Sequence, residues 1–288
     1  MVGEDRHVVP SLAHTDVRAL GPGDRRSLVD LLDGEPGYSL FLRGNLDLLG
    51  AHDRVQYWAV CEDAVPRAVL MVVAGRSALY APEGVAVAPL GGVAAERRLS
   101  FVMGRGRQVE ELLAAAPGLA PVRWQEHLLA RVEPADLAPA YAPPALPVLP
   151  LGVRVRRARY ADLSGLARLY TGAVGFERAS PTQVRDTLRE RILALRTHVA
   201  RSGRRMLAAA STTAETPSAA MIGGVWTDPA WRDRGLGTAV VAALARELLA
   251  EGREPYLFYL VDNAPAARVY AKIGFRPVGP WTVVHFVL

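Results

Sequence analysis

A proline-rich segment near the middle of the chain divides it into two parts of similar size. The segment runs from Pro134 to Pro150 and holds six prolines: Pro134, Pro139, Pro143, Pro144, Pro147 and Pro150. Proline lacks a backbone N–H and favours extended backbone, so neither a helix nor a central strand is expected here. A chain of 288 residues is long enough for two ordinary domains. We predict domains at residues 1–133 and 153–288, joined by a linker at residues 134–152.

The two parts share a pattern when one is shifted by 138 residues against the other. Five positions then carry identical residues: Val17/Val155, Arg18/Arg156, Asp24/Asp162, Leu28/Leu166 and Leu31/Leu169. Each copy predicts a short strand, a turn and an amphipathic helix with an acid near its start. An unrelated segment with a strand followed by a helix would show a similar pattern, but the proline-rich segment between the two parts favours an internal repeat.

The second part alternates strand and helix patterns. Strands are predicted at 153–158, from Met206, from Ala220, at 256–261 and at the closing WTVVHFVL, and helices at 162–170, 180–195, 236–251 and 263–273. In the first part, apolar runs at 67–74, 77–82 and 84–90 predict three strands. This order of elements indicates an α/β or α+β fold with a mixed sheet.

A glycine-bearing turn leads into the longest of these helices. The preceding strand contains Gly223 and Gly224, which favour a bulge, and ends at Thr227. The segment RDRGLG (residues 232–237) then precedes the helix. Unpaired first-turn N–H groups and the positive end of the helix dipole attract phosphate, and glycine lets the backbone approach it. The turn therefore predicts a phosphate or pyrophosphate site.

Two other phosphate-binding motifs do not fit this turn. The phosphate loop of nucleotide hydrolases ends in Gly-Lys-Ser/Thr, which is absent from the segment. The dinucleotide fingerprint needs three glycines at another spacing and an acid after the next strand.

The turn and a second block resemble the GNAT N-acetyltransferase superfamily. Its diagnostic Arg/Gln-x-x-Gly-x-Gly/Ala is matched by Arg232, Gly235 and Gly237. The second block, LVDNAPAARVYAKIGF (residues 260–275), contains the Asn…Ala…Tyr…Gly-Phe pattern of the superfamily. Both motifs occur in the expected order on the expected elements. The resemblance covers residues 153–288 and implies tandem GNAT-like domains, each a mixed, mostly antiparallel sheet flanked by helices, with a diverged first half.

The resemblance implies a binding site for acetyl-CoA. Backbone groups of the glycine-containing strand would bind the pantetheine arm, the turn would bind the pyrophosphate, and the second block would touch the cofactor arm. These cofactor-binding residues are Val225, Trp226, Thr227, Arg232, Asp233, Arg234, Gly235, Leu236, Gly237, Thr238, Asn263 and Ala266. Tyr270 shares a helix face with Asn263 and Ala266 and is the candidate acid that protonates the leaving thiolate; an ordinary half-buried tyrosine is the alternative.

One family feature is missing, which leaves the general base unassigned. Many family members carry a glutamate on the strand before the turn, where this sequence reads Ala219 to Ile222 without a carboxylate. Glu177, His198 and His285 could line the acceptor side, although each fits a surface or structural role better. The implied reaction is direct attack of an amine on the thioester carbonyl, with backbone N–H near Val225 stabilising the oxyanion.

Three functions remain open at this point. The first is an acetyl-CoA-dependent N-acetyltransferase for a small or peptide amine. The second is an enzyme with another acyl donor or a thiol-biosynthesis amine, since the layout is similar to mycothiol synthases, which have one active half. The third is a non-catalytic acyl-CoA sensor or interaction module. The acceptor amine itself is not predicted, and a homodimer is left open.

Composition narrows the cellular setting. The single cysteine, Cys61, cannot form an intrachain disulfide or a cysteine-rich metal site, and no metal site is predicted. No apolar run reaches the ~18–20 residues of a membrane span, and the charged first ten residues do not resemble a signal peptide. The net charge of +5 is spread along the chain rather than clustered, which argues against nucleic-acid binding. We expect a cytoplasmic protein without a membrane partner.

Overall fold

The protein forms one continuous mixed sheet covered on both faces by helices. A computed structural model describes residues 15–49, 55–139, 149–171, 173, 176 and 179–287. Twelve strands of the described residues join in a single sheet. The predicted fold class, a mixed and mostly antiparallel α+β arrangement, is confirmed. The sheet is shared between the halves rather than split in two.

The first half contains six strands and four α-helices among its described residues. The strands are β1 (Thr15–Ala19), β2 (Val55–Glu62), β3 (Val65–Val73), β4 (Arg76–Tyr80), β5 (Phe101–Gly104) and β6 (Pro121–Arg131). The helices are α1 (Arg25–Leu32), α2 (Pro36–Gly44), α3 (Gly91–Glu96) and α4 (Gly106–Ala114). Short 3-10 helices lie at Pro22–Asp24, Leu46–Leu48 and Ala88–Leu90.

The second half repeats this order of elements. The strands are β7 (Val153–Arg157), β8 (Thr197–Ser202), β9 (Arg205–Glu215), β10 (Ala219–Thr227), β11 (Glu254–Leu260) and β12 (Arg276–Phe286). The helices are α5 (Leu163–Tyr170), α6 (Pro181–Ala194), α7 (Leu236–Ala250) and α8 (Ala264–Ile273). Short 3-10 helices lie at Tyr160–Asp162 and Pro229–Trp231.

The two halves exchange their last strands. The strand order is β1-β2-β3-β4-β5-β12-β6-β11-β10-β9-β8-β7, so β12 pairs with β5 of the first half and β6 pairs with β11 of the second. The exchanged strands also pair with each other along most of their length. The predicted boundary at residues 134–152 stays a prediction, because both halves share these central strands. Residues 140–148 of that segment lie outside the described part of the chain.

The predicted 138-residue register matches the start of each half. β1 and β7, the first 3-10 helices, and α1 and α5 are each offset by this spacing. The matched residues also make the same contacts. Arg18 pairs with Asp24 and Arg156 with Asp162, at nitrogen–oxygen distances of 2.6 and 2.7 Å. In both copies the aspartate also accepts the backbone N–H three residues before it.

Alternate residues of the central strands pack into different cores. Met221 and Tyr256 belong to the core under α1 and α2, whereas Ile222 and Leu257 belong to the core under α7 and α8. Because side chains of a strand alternate between faces, the helices α1 and α2 cover one face and α7 and α8 the other. We call these the α2 face and the α7 face.

One predicted strand of the first half is wrong. Residues 84–90 form a turn and a 3-10 helix instead of a strand. The backbone turns at Gly84, where φ is +82°. The N–H groups of Val87 and Ala88 bond the carboxylate of Glu111 at 2.9 and 3.0 Å rather than a neighbouring strand. Val87 and Leu90 of this run are buried all the same and Val85 packs against the same core, which explains the strand-like pattern.

No helix in the described part of the chain combines the length and apolar composition that crossing a membrane requires.

Candidate functional site

Two parallel strands separate at the middle of the second half. β10 and β11 pair from Ala219/Glu254 to Ile222/Leu257, and their register ends there. Both strands continue, β10 to Thr227 and β11 to Leu260. Each arm stays attached to its outer neighbour, β10 to β9 and β11 to β6. We call the gap between residues 223–227 and 258–260 the strand opening.

A bulge shapes the β10 arm of the strand opening. The β10–β9 register shifts between Gly223 and Trp226, so Gly224 and Val225 stand outside the regular ladder. Gly224 has φ of +57°, a conformation that glycine adopts without strain. The buried hydroxyl of Tyr170 on α5 donates a hydrogen bond to the Gly224 carbonyl. The predicted bulge at the paired glycines is present, and it is held from the α5 side.

An exposed loop joins this arm to α7. Asp228 accepts the N–H of Ala230 at 3.0 Å and pairs with Arg205 at 2.8 Å. The Arg205 guanidinium lowers the pKa of the Asp228 carboxyl. The helix cap is Gly235, with φ of +73°, and no side chain caps the helix. The first-turn N–H groups of α7 therefore lack a side-chain acceptor, which leaves them available to an anion.

The predicted phosphate-binding side chains are exposed at this loop. Residues 232–235 are all exposed. The Arg232 guanidinium lies over the Trp226 ring, 5.1 Å from its centroid, and Arg234 lies 4.8 Å from the Trp231 centroid. These rings orient the two cations without neutralising them. Asp233 adopts φ of +59°, which aspartate tolerates in turns.

The start of α7 lies close to the end of β10. A Cβ on Gly237 would lie 3.2 Å from the Thr227 hydroxyl oxygen, tighter than an ordinary contact. The side chains of Leu236 and Thr238 are buried. Leu236, Gly237 and Thr238 can therefore bind an anion through their backbone N–H groups, but they expose little side-chain surface to it.

Asn263 and Ala266 form the start of α8. The Asn263 side-chain oxygen accepts the Ala266 N–H at 3.1 Å and so caps this helix. Asn263 is exposed, and Ala266 is partly buried against the α7-face core. This capping hydrogen bond is a sufficient structural reason for an asparagine at position 263. The predicted contact of Asn263 with a cofactor stays a prediction.

Tyr270 lies in an apolar environment on α8. It is 9% exposed, and its ring contacts Tyr259 and Phe275 at centroid distances of 5.4 and 6.1 Å. Burial raises the pKa of the Tyr270 phenol to about 12, with a smaller contribution from Tyr259. The phenol is therefore protonated throughout the physiological range. Tyr259 belongs to the β11 arm, so Tyr270 is linked directly to the strand opening.

The other candidates from the sequence lie elsewhere. Glu177 lies outside the described residues. His198 is on β8, where Nε2 is 3.1 Å from Glu247 of α7 and burial lowers its pKa to about 4. His285 is on β12, bonded to the Gln125 side chain at 3.0 Å. Neither histidine borders the β10 or β11 arm of the strand opening.

Sequence reasoning missed Tyr170, which holds the bulge. A signal was present in the repeat, because the 138-residue shift aligns Tyr170 with Leu32. A hydroxyl at a position where the other copy has a buried leucine indicates a polar contact that only one half makes.

A known protein family matches part of the second half. Residues 198–283 match the family described as FR47-like protein, which is less than half of the chain. This span includes the glycine-bearing turn, both arms of the strand opening and Tyr270. Comparison with curated protein sequences gave no match.

Solved structures share the fold of the whole chain at low identity. A Drosophila protein from structural genomics is 15% identical, with a TM-score of 0.68 over 95% of this chain and 99% of that one. A tandem GNAT protein from the clavulanic acid biosynthesis pathway is 16% identical, with a TM-score of 0.63 over 94% and 98%. A GCN5-related N-acetyltransferase from Sphaerobacter thermophilus is 16% identical, with a TM-score of 0.63 over 94% of both chains. The resemblance to tandem GNAT proteins is confirmed at the level of the fold.

Proposed function

We propose that the protein is an acetyl-CoA-dependent N-acetyltransferase that acts on an amine by direct attack. The observation that carries this proposal is the strand opening beside the uncapped start of α7. A thioester arm that enters between two strands needs unpaired backbone, and a diphosphate needs free N–H groups nearby. The second half offers both within residues 223–238, from the end of β10 through the loop to the first turn of α7.

The described residues fit acetyl-CoA in three places. The exposed loop and the first turn of α7 would hold the pyrophosphate, with Arg232 and Arg234 adding charge. Backbone groups of residues 225–227 would bind the pantetheine arm as an added strand would. Asn263 and Ala266 would border the arm from α8. Acetyl-CoA supplies the activated acetyl group as a thioester.

The chain would contribute two groups to the chemistry. Backbone N–H near Val225, freed by the bulge, would stabilise the charge that develops on the carbonyl oxygen. The Tyr270 phenol would donate a hydrogen bond to the leaving sulfur. With a pKa of about 12 it is a weaker acid than a thiol, whose ordinary pKa is about 8.5. We therefore assign Tyr270 first as a hydrogen-bond donor to the thiolate and only then as its proton source.

A non-catalytic acyl-CoA-binding module is the second candidate. The β10 segment before the bulge, Ala219 to Ile222, is apolar and buried, with no carboxylate to act as a base. Binding alone would need the loop and the strand opening but no base. An enzyme with another acyl group or a mycothiol-synthase-like acceptor would use the same loop and differ in the acceptor.

Calorimetry with CoA and an assay of CoA release test the two candidates. We expect CoA to bind and primary amines to stimulate release from acetyl-CoA. Tyr270→Phe should lower kcat about 10-fold or more while CoA affinity changes little. Tyr160→Phe, which alters an exposed tyrosine, is the control. If CoA binds but no amine raises turnover and Tyr270→Phe changes nothing, the binding module is the better description.

A further inference from the structure

The β11 arm of the strand opening is bordered by a strand from the first half. Because β6 is exchanged, it lies beside β11, and Leu260 at the end of the arm pairs with His127. Directly paired residues of antiparallel strands have Cβ atoms about 5 Å apart. The His127 ring also meets the Phe258 ring of the arm edge-on, at a centroid distance of 5.2 Å. His127 therefore lies one strand spacing from the strand opening.

The side chain of His127 faces away from α7 and α8, the helices of the proposed cofactor site. Tyr259 contacts Tyr270 on the α7 face, and its neighbours Phe258 and Leu260 point to the opposite face. Phe258 stacks on Trp281, which belongs to the core on the α2 face. His127 pairs with Leu260 and contacts Phe258, so it also lies on the α2 face. A donor held from the α7 side would leave this face to the acceptor.

The hydrogen bonding of His127 leaves one nitrogen as a free acceptor. Nδ1 lies 3.2 Å from the Gln125 carbonyl oxygen, which can only accept, so Nδ1 carries the hydrogen. No described group bonds Nε2, and Nε2 is not among the fully buried nitrogens that lack a partner. The residue as a whole is 8% exposed. Nε2 therefore presents a lone pair at the small part of the ring that solvent reaches.

The surroundings keep His127 neutral near pH 7. Burial lowers the pKa of His127, and His285 of β12 and Arg123 of β6 lower it further. Asp262, which follows β11, and the bond to the Gln125 carbonyl act in the opposite direction and are weaker than burial. The neighbouring rings of Phe258 and Trp281 carry no charge.

We propose that His127 is the general base of the acetyl transfer, supplied to the site of the second half by the exchanged strand of the first. This inference rests on the proposed transfer function and names the base that the second half lacks. The acceptor would approach on the α2 face beside Phe258 and Leu260, and Nε2 would reach it directly or through one water.

The proton and bond changes balance as follows. Nε2 takes a proton from the acceptor ammonium, and the freed nitrogen lone pair forms a C–N bond with the thioester carbonyl carbon. The C–S bond breaks, and the sulfur leaves with a proton from the Tyr270 phenol. The attacking nitrogen gives its surplus proton back to that phenolate. The products are the amide and CoA thiol, and imidazolium releases its proton to solvent.

The other exchanged strand, β12, provides a control position beside the first half. β5 pairs with β12 through Gly104 and Thr282, as β11 pairs with β6 through Leu260 and His127. Thr282 is 3% exposed, and its hydroxyl oxygen would lie 2.9 Å from a Cβ on Gly106, so the start of α4 covers it. Because Thr282 follows Trp281, its side chain lies on the opposite face of the sheet from His127, and it serves as a control for substitution of a buried polar residue in an exchanged strand.

The test compares His127→Asn with Thr282→Val in the full chain. CoA release from acetyl-CoA would be measured with glycine, tyramine, putrescine, lysine and water as acceptors, between about pH 5 and pH 9. At pH 7 we expect kcat/KM to fall about 100-fold in His127→Asn, with CoA affinity and Tm unchanged. The acid limb of the wild-type profile, with its midpoint below the ordinary histidine pKa of about 6.5, should disappear. Imidazole should restore part of the rate in His127→Ala, and Thr282→Val should match wild type.

Three results would overturn the inference. If wild type turns over acetyl-CoA and His127→Asn keeps its rate and acid limb, His127 is not the base and the transfer function stands. If the variant loses CoA affinity or Tm in step with rate, its role is structural. If wild type binds CoA but consumes no acetyl-CoA with any of these acceptors, both the base and the transfer function are wrong.

Discussion

The two halves of the protein share a framework but differ at one place. Both have the same order of elements and the same arginine–aspartate pair at the start. In the first half β4 has five residues and α3 six, whereas β10 has nine and α7 fifteen. The longer strand and helix of the second half create the strand opening and the exposed loop. A repeated fold can therefore keep its packing in both copies while one copy alone keeps room for a ligand.

The loop before α3 shows how the first half fills the equivalent place. The N–H groups of Val87 and Ala88 bond the Glu111 carboxylate from α4. At the start of α3, a Cβ on Gly91 would collide with the carbonyl of Ala115. Neither α3 nor α7 has a side-chain acceptor at its own cap, and Asp228 bonds the Ala230 N–H in the loop before α7. The difference lies in the surroundings: the α4 end of the first half covers the start of α3, whereas residues 232–235 before α7 are exposed.

The largest expected effect comes from separating the halves. Residues 149–288 alone lack β6, so β11 and β12 lose the strand between them. We expect this fragment to aggregate or to lack a cooperative thermal transition, because unpaired edges and apolar surface are exposed. Co-expression with residues 1–148 should restore a soluble complex. A fragment that is monomeric and cooperatively folded by gel filtration and circular dichroism would show that the exchange is dispensable.

The second-largest expected effect compares the same substitution at the starts of α7 and α3. Gly237→Asp in α7 should weaken CoA binding about 100-fold, or about 3 kcal/mol, because the carboxylate repels a diphosphate and crowds Thr227. Gly92→Asp, the second residue of α3, should leave CoA affinity unchanged, since a Cβ there meets nothing within 4 Å. Calorimetry measures both, and Gly237→Ala separates crowding from charge. Equal affinities for Gly237→Asp and Gly92→Asp would move the anion site elsewhere.

The smallest effect concerns the shared arginine–aspartate pairs. The Asp162 side chain is 6% exposed and that of Asp24 is 19%. We expect Asp162→Ala to lower the free energy of unfolding by about 2 kcal/mol and Asp24→Ala by about 1 kcal/mol. Urea denaturation at pH 7 measures both losses. A larger loss at Asp24 would mean that burial does not set the difference between the two copies.

The same pairs give a pH dependence with a defined sign. Arg18 and Arg156 lower the pKa of their partner carboxyls, so the native state binds protons less readily than the unfolded state. The stabilisation is present above the ordinary aspartate pKa of about 3.9 and is lost as pH falls through the lowered values. Each alanine variant should therefore lose less stability, relative to wild type, in acid than at pH 7.

Local features of the fold could be predicted, and non-local ones could not. The 138-residue register predicted β1, β7, α1 and α5, because periodicity and turn residues act within a few positions. The glycine motif likewise predicted the start of α7. The exchange of β6 and β12 depends on pairing between strands more than a hundred residues apart, which no local pattern encodes. For the same reason the sequence did not predict the contacts of His127 and Glu111, whose partners lie on elements distant in sequence.

The exchanged strands also set an order for folding during synthesis. The first half cannot close its sheet beside β5 until β12, residues 276–286, has emerged from the ribosome. Domains that carry all their own strands fold as they appear, at a synthesis rate of roughly 5–20 residues per second. Here the edge of β5 waits for a strand that follows it by more than a hundred residues. During that interval the nascent protein exposes the unpaired strand edge of β5, a site open to pairing with other chains.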